Sequence, residues 1–156
     1  MDKKYLDKFY NEIQHNETLD VASFVLPITV IYNSLIYSIK DILEDYDLTK
    51  SEVDVLITLS KNGNQMTPTE LYRALLFTSS GIAKVLKKLE VKQLISREES
   101  VEDKRSMLVV LEEKGLNIAI ECLEKINVHH DNFFKHLDKK EKDDLRKILK
   151  KMVYSL

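Results

Sequence analysis

Breakers of regular structure are scarce in this chain. Three glycines, two prolines and no tryptophan occur among 156 residues. With so many Leu, Ile, Lys and Glu beside them, this points to a mostly helical protein. There is one cysteine, Cys122, so an internal disulfide is excluded and a reducing cytoplasm is the expected setting. Long apolar runs are missing too. The longest, residues 24–32, contains Pro27 and is far short of the ~20 residues a membrane span needs, so no membrane partner is expected. The opening MDKKYLDKFYNEIQ alternates charge with apolar side chains and is no signal peptide. Histidines are few and scattered. His129 and His130 are adjacent and point in different directions on a helix, and His15 and His136 complete no set, which argues against a metal site. No Ser/His/Asp, paired-carboxylate or phosphate-loop pattern stands at a plausible position, so neither catalytic residues nor a cofactor are expected.

What is present is enough for a core: 44% apolar and 32% charged residues, in a length that suits one domain or two closely integrated parts. The net charge of −2, taken as a sum, argues against a nucleic-acid partner. Its distribution argues the other way. Residues 1–77 carry 7 basic and 12 acidic side chains, whereas residues 78–97 carry Lys84, Lys87, Lys88, Lys92 and Arg97 against Glu90 alone. The remainder is nearly balanced, with 12 basic and 13 acidic. There is no repeat, low-complexity tract or long linker.

Periodicity predicts the elements. Tyr5, Leu6, Phe9, Tyr10 and Ile13 share one face of a helix over residues 3–14. After a break near residues 16–18, Val30, Ile31, Leu35, Ile36, Ile39, Ile42 and Leu43 mark a long helix over residues 20–45, with Pro27 starting its regular part or kinking it. So much apolar surface suggests subunit contact more than a monomer with a large core. Thr49-Lys50-Ser51-Glu52 and Thr67-Pro68-Thr69-Glu70 are capping boxes that open two further helices, the first stopping at Asn62-Gly63. A turn near residues 76–77 leads to a helix over residues 78–92, capped by Thr78. Ile82, Val85, Leu86 and Leu89 face its core side. Ser79, Ser80, Lys84, Lys87 and Lys88 face outward. Two short strands follow within residues 94–111, joined by the polar loop 98–106 that carries Lys104 and Arg105. Glu112 or Glu113 then begins a helix to about residue 137, and Asp138-Lys139-Lys140-Glu141 caps a last one. Short helix, tight turn, basic helix and hairpin make a winged helix-turn-helix, whose second helix enters the major groove. The expected fold is mainly α with a small β-hairpin wing.

This order of elements, with Leu89-Glu90, Leu94-Ile95-Ser96-Arg97, Asp103-Lys104-Arg105 and Lys114-Gly115, resembles the MarR family of bacterial winged-helix regulators. The similarity spans residues 28–155 and is densest over 48–115. Three positions depart from the family pattern. Gln93 stands where glycine is usual, at a helix end that favours a left-handed residue. Glu112 replaces a capping threonine, and Lys84 a frequent arginine that would read guanine with two bonds. The resemblance implies N-terminal dimerisation helices in 1–47, a winged helix-turn-helix in 48–111 and C-terminal dimerisation helices in 112–156, integrated as one domain. It implies a cytoplasmic homodimer that binds a pseudo-palindromic operator in double-stranded DNA, a repressor relieved by a small-molecule effector. Ser79, Ser80 and Lys84 would reach base edges, and Thr69, Lys87 and Lys88 would hold phosphates. Arg105, oriented by Asp103 and flanked by Lys104, would enter a minor groove. Arg97 would touch phosphate or tie its strand to the helices. Tyr32, Tyr37 and Cys122 fall where an effector pocket would lie, although aromatic residues at helical spacing are more often core and a mid-helix cysteine is more often an inert buried thiol. Two alternatives remain open: a winged-helix protein-interaction module without specific DNA binding, and a redox- or metal-responsive regulator. The operator, the regulated genes, the effector and the sign of regulation are not written in the sequence.

Overall fold

In a computed structural model of the chain, the described residues are 3–14, 20–75, 79–99 and 107–155. They form two compact units, residues 1–38 and 39–156. The first contains α1 (Lys3–Gln14) and α2 (Asp20–Ser38). Phe9 and Tyr10 meet edge to face on α1, with ring centroids 5.6 Å apart. Pro27 lies inside α2 and not at its start. The helix expected over residues 20–45 is in fact divided. Ser38 Oγ donates to the Leu35 carbonyl (2.8 Å), and Ile39 adopts φ −105°, ψ 6°, which ends α2 before α3 (Lys40–Asp45) begins. The expectation about apolar length also needs correction. By length and composition alone, Val21–Asp45 is apolar enough to cross a membrane, with a mean hydropathy of 1.5. Counting a single apolar run missed this because Ser23, Asn33 and Ser34 bound the run without lowering the mean of the longer segment far.

The second unit is built on local signals that the chain states plainly. In α4 (Lys50–Lys61) the Thr49 hydroxyl accepts from the Glu52 N–H, and the Glu52 carboxylate accepts from the Thr49 N–H. The same reciprocal bonds open α5 (Pro68–Ala74) with Thr67 and Glu70, and α8 (Lys139–Val153) with Asp138 and Glu141. Each box satisfies two of the N–H groups that a helix start leaves without partners. Between α4 and α5, Gln65–Met66 forms a short strand, β1, which periodicity did not reveal. Two residues are too few to show alternation. β2 (Ile95–Glu99) and β3 (Met107–Leu111) are the hairpin strands, paired from Ile95↔Leu111 to Glu99↔Met107. β1 pairs on the other edge of β3, so the sheet order is β1-β3-β2, all antiparallel.

The core gathers one face from α3 through α6: Ile42 of α3, Val53, Leu56 and Leu59 of α4, Leu71 of α5, and Ile82, Leu86 and Leu89 of α6 (Ser79–Val91). Leu94, Ile95, Val109 and Leu111 close it from the sheet side. Ala119 and Cys122 close it from α7 (Glu113–Phe134). Leu94 is the meeting point of reading helix, sheet and α7. Its N–H donates to the Leu89 carbonyl (3.0 Å), and its own carbonyl accepts from the Glu112 N–H (3.1 Å). Gly115 lies over that carbonyl so closely that a Cβ would stand 2.1 Å from the oxygen. Gln93, just before Leu94, is left-handed with φ 57°, as the helix end requires. Glu112 precedes α7 with no side-chain cap bond.

Two substitutions test this junction by urea denaturation. Gly115→Ala is expected to lower the unfolding free energy by about 2 kcal/mol or more, since the added carbon meets backbone and not a side chain able to turn aside. Gln93→Gly is expected to raise it by about 0.5–1 kcal/mol by relieving a left-handed residue that carries a Cβ.

Candidate nucleic-acid interface

The helix-turn-helix is α5 followed by α6, and its outward face begins with how α6 is held. Ile82, Leu86 and Leu89 are at most 3% exposed, so the helix cannot rotate without uncovering core side chains. That burial sends Lys84, Lys87 and Lys88 outward, where all three are exposed. Among the described residues none of the three has an ion-pair partner. They line one side of a cleft of about 760 Å³ whose far wall is formed by Leu43, Leu48 and neighbouring residues of the α3–α4 junction. Val91, 77% exposed, lies beside them. Three unpaired ammonium groups on one helix face make a surface suited to a polyanion.

Thr69 stands at the exposed N-terminal turn of α5, in a smaller cleft of about 180 Å³ shared with Tyr72, Ala83 and Arg97. The Glu70 carboxyl beside it is held below its ordinary value of 4.5, chiefly by the Thr67 N–H that it accepts. A depressed carboxyl stabilises the cap fully above pH 4.5, and this is lost as the pH falls through its lower folded value. Arg97 is engaged. Its Nε donates to Glu90 Oε1 (2.8 Å) and a terminal nitrogen donates to Oε2 (3.2 Å), a two-pronged bond that ties β2 to α6. Of the two roles foreseen for Arg97, the structural tie is the one present here. Glu90 was the missed half of that pair, although its being the sole acid in residues 78–97 was a signal.

Ser79 and Ser80 open α6. Asp103, Lys104 and Arg105 lie outside the described residues, as does the expected turn at residues 76–77 with Thr78. Tyr32 and Tyr37 are exposed on α2 at 56% and 78%. Cys122 is fully buried on α7, and removal from water is the main cause raising its thiol pKa above the ordinary value. Tyr46 next to this helix donates to Glu121 Oε2 (2.6 Å), while the Lys125 ammonium sits 4.7 Å above its ring. This pairing of the α3–α4 junction with α7 was not visible in the sequence, where 75 residues separate the two partners. Among the described residues no group of His, Cys, Asp and Glu is placed to hold a metal ion.

A family model described as MarR family matches residues 46–106, the span from the α3–α4 junction to just before β3. Wild-type MarR from E. coli in its apo form superposes with a TM-score of 0.68 at 25% identity, over 83% of this chain and 95% of that one. Residues 46–106 are thus similar to the MarR family, and the chain shares its fold with MarR. Two more distant structures share the fold: the S. aureus MepR–DNA complex (22% identity, TM-score 0.76, 85% of this chain and 98% of that one) and Bordetella bronchiseptica BpsR, whose DNA binding is regulated by 6-hydroxynicotinic acid (18% identity, TM-score 0.73, 84% and 98%). No curated protein matches this chain by sequence.

The buried thiol gives a direct test of the packing around α7. Cys122 is expected to react with a thiol reagent at least 100-fold more slowly in native buffer than in denaturant, because only the exposed thiolate is nucleophilic. Ellman's reagent followed by absorbance measures both rates.

Proposed function

We propose that this protein is a homodimeric, sequence-specific DNA-binding transcriptional regulator of the cytoplasm, a repressor whose operator affinity is altered by a small-molecule effector. The observation that carries the reading is the outer face of α6: exposed Lys84, Lys87 and Lys88, unpaired among the described residues, on the second helix of a helix-turn-helix. A regulator of this kind is also what the family match supports, and structures of relatives include one with DNA and one regulated by a small molecule.

In this reading, Ser79, Ser80 and Lys84 at the start of α6 reach base edges in the major groove. Lys87, Lys88 and Thr69 hold phosphates and set the position of the helix without reading sequence. Lys104 and Arg105, oriented by Asp103, serve the minor groove from the wing. Arg97 contributes by holding β2, and therefore the wing, against α6. Dimerisation uses the terminal segments, residues 1–47 and 112–156. The support for this is exposed apolar surface of a kind that isolated soluble chains seldom keep. Val21, Phe24 and Val25 on α2 are each more than half exposed, and α8 presents Ile148 at 57% and Val153 at 63%. Two copies that bury these faces would place their α6 helices one turn of DNA apart, about 10 base pairs.

Fluorescence anisotropy on DNA taken from upstream of the protein's own gene tests the reading, with wild type and Arg105→Ala at two salt concentrations. The expected result is a dimer that binds tightly, weakens as salt rises, and loses roughly ten-fold in affinity on removal of Arg105. Absence of binding to that DNA and to a random operator library at low salt would leave a protein-interaction module instead. Sedimentation should give twice the chain mass of 18.2 kDa.

A further inference from the structure

We propose that Lys92 is a positioning residue for the reading helix. Its ammonium latches the C-terminal end of α6 to the α3–α4 junction and serves DNA binding without touching DNA. The inference rests on the DNA-binding reading of α6 given above.

Lys92 directly follows α6 and lies eight residues after Lys84, on the same side of the helix as Lys84, Lys87 and Lys88. Those three are exposed, and Lys92 alone of the four is turned back into the protein, its side chain only 29% exposed. Its Nζ donates to the Asp47 carbonyl and sits 3.5 Å from the Asp47 carboxylate and 3.7 Å from Glu52 Oε1. Both acceptors are held in place by structure of their own. Asp47 is left-handed, φ 50°, at the end of α3, where its N–H donates to the Glu44 carbonyl (3.0 Å) and the next N–H, of Leu48, donates to Leu43 (2.9 Å). Glu52 is 1% exposed, the one charged side chain fully buried among the described residues. Its Oε2 is committed to the cap, accepting from the Thr49 N–H (2.7 Å) and hydroxyl (2.9 Å). Its Oε1 is buried with no hydrogen-bond partner, so the ammonium at 3.7 Å is what offsets that charge.

A buried carboxylate left without its cation is strongly destabilising, so the latch resists opening. It therefore fixes one end of a rod. The 13 residues of α6 span about 20 Å, and Ser79 and Ser80 stand at the end away from Lys92. A small rotation released at Lys92 is carried along the helix to those residues, where binding groups must be held to about 0.5 Å. Capping of α4 and aim of α6 are thus joined through one carboxylate.

Two measurements on the full-length protein test the proposal. The first is a double-mutant cycle by urea denaturation with Lys92→Met, Glu52→Gln and the pair. Coupling is expected, with the loss from Lys92→Met smaller when Glu52 has already been neutralised; additive losses would overturn the latch. The second is DNA anisotropy against salt, at a temperature where every variant is folded. Lys92→Met is expected to weaken binding about ten-fold with an unchanged salt slope, and Lys92→Arg to restore most of the affinity. Lys87→Ala, by contrast, should lower the slope by about 0.9, as loss of one phosphate contact does. A slope lowered by that amount in Lys92→Met would make Lys92 a phosphate contact. An unchanged affinity would make it merely structural. Either result overturns the positioning role. Wild type that binds no DNA would sink the DNA reading and the positioning role together, while the stability cycle would still show whether Glu52 and Lys92 are coupled.

Discussion

The carbonyl of Leu94 is where the second unit is locked. It accepts the Glu112 N–H that starts α7, and Gly115 lies against it at a distance no side chain would allow. The Leu94 N–H meanwhile reaches back to Leu89, the last buried residue of α6. One residue thus sets where α6 stops, where β2 starts and where α7 departs. Gln93 keeps a left-handed backbone to make this possible, with its Cβ in a conformation glycine would adopt freely. Everything proposed for DNA recognition depends on this junction, because the helix and the wing are both referred to it.

Around that point the charges of residues 78–97 divide into two kinds. Lys84, Lys87 and Lys88 are exposed and unpaired among the described residues, so they remain available to an outside anion. Lys92 and Arg97 are turned to acids of the chain itself, Lys92 to the exposed Asp47 and the buried Glu52, Arg97 to Glu90. The first kind leaves positive charge on the surface, and the second holds the elements that present it. A net charge of −2 for the whole chain is compatible with this, because an anion meets a local face and not a sum.

Legibility followed the range of the interactions. All three capping boxes were readable because donor and acceptor lie three residues apart, and their geometry is set by the first helical turn. The core face of α6 was readable because Ile82, Leu86 and Leu89 repeat at the helical period. Gln93 and Glu112 stood out as departures from a family pattern, and the structure finds a left-handed residue at the first and an uncapped helix start at the second. The division of the long apolar helix at Ile39 was not readable, since nothing in its periodicity changes there. β1 was too short to leave a pattern and exists only because β3 offers it an edge.

What the sequence by itself determined is the set of helices, their buried faces, the location of the basic segment and the family they resemble. These follow from propensity, capping and period, all of which act over a few residues. What only the tertiary structure decided is which charges are spent inside. Glu52 looked like a cap and also meets Lys92, 40 residues away in the chain. Arg97 was read as a phosphate contact or a tie between strand and helices, and the structure shows which acid it grips, Glu90. Gly115 stood in the sequence as part of a family pattern and is the place where another segment's carbonyl must fit. Such pairings depend on elements being brought together in space, and no local spacing encodes them.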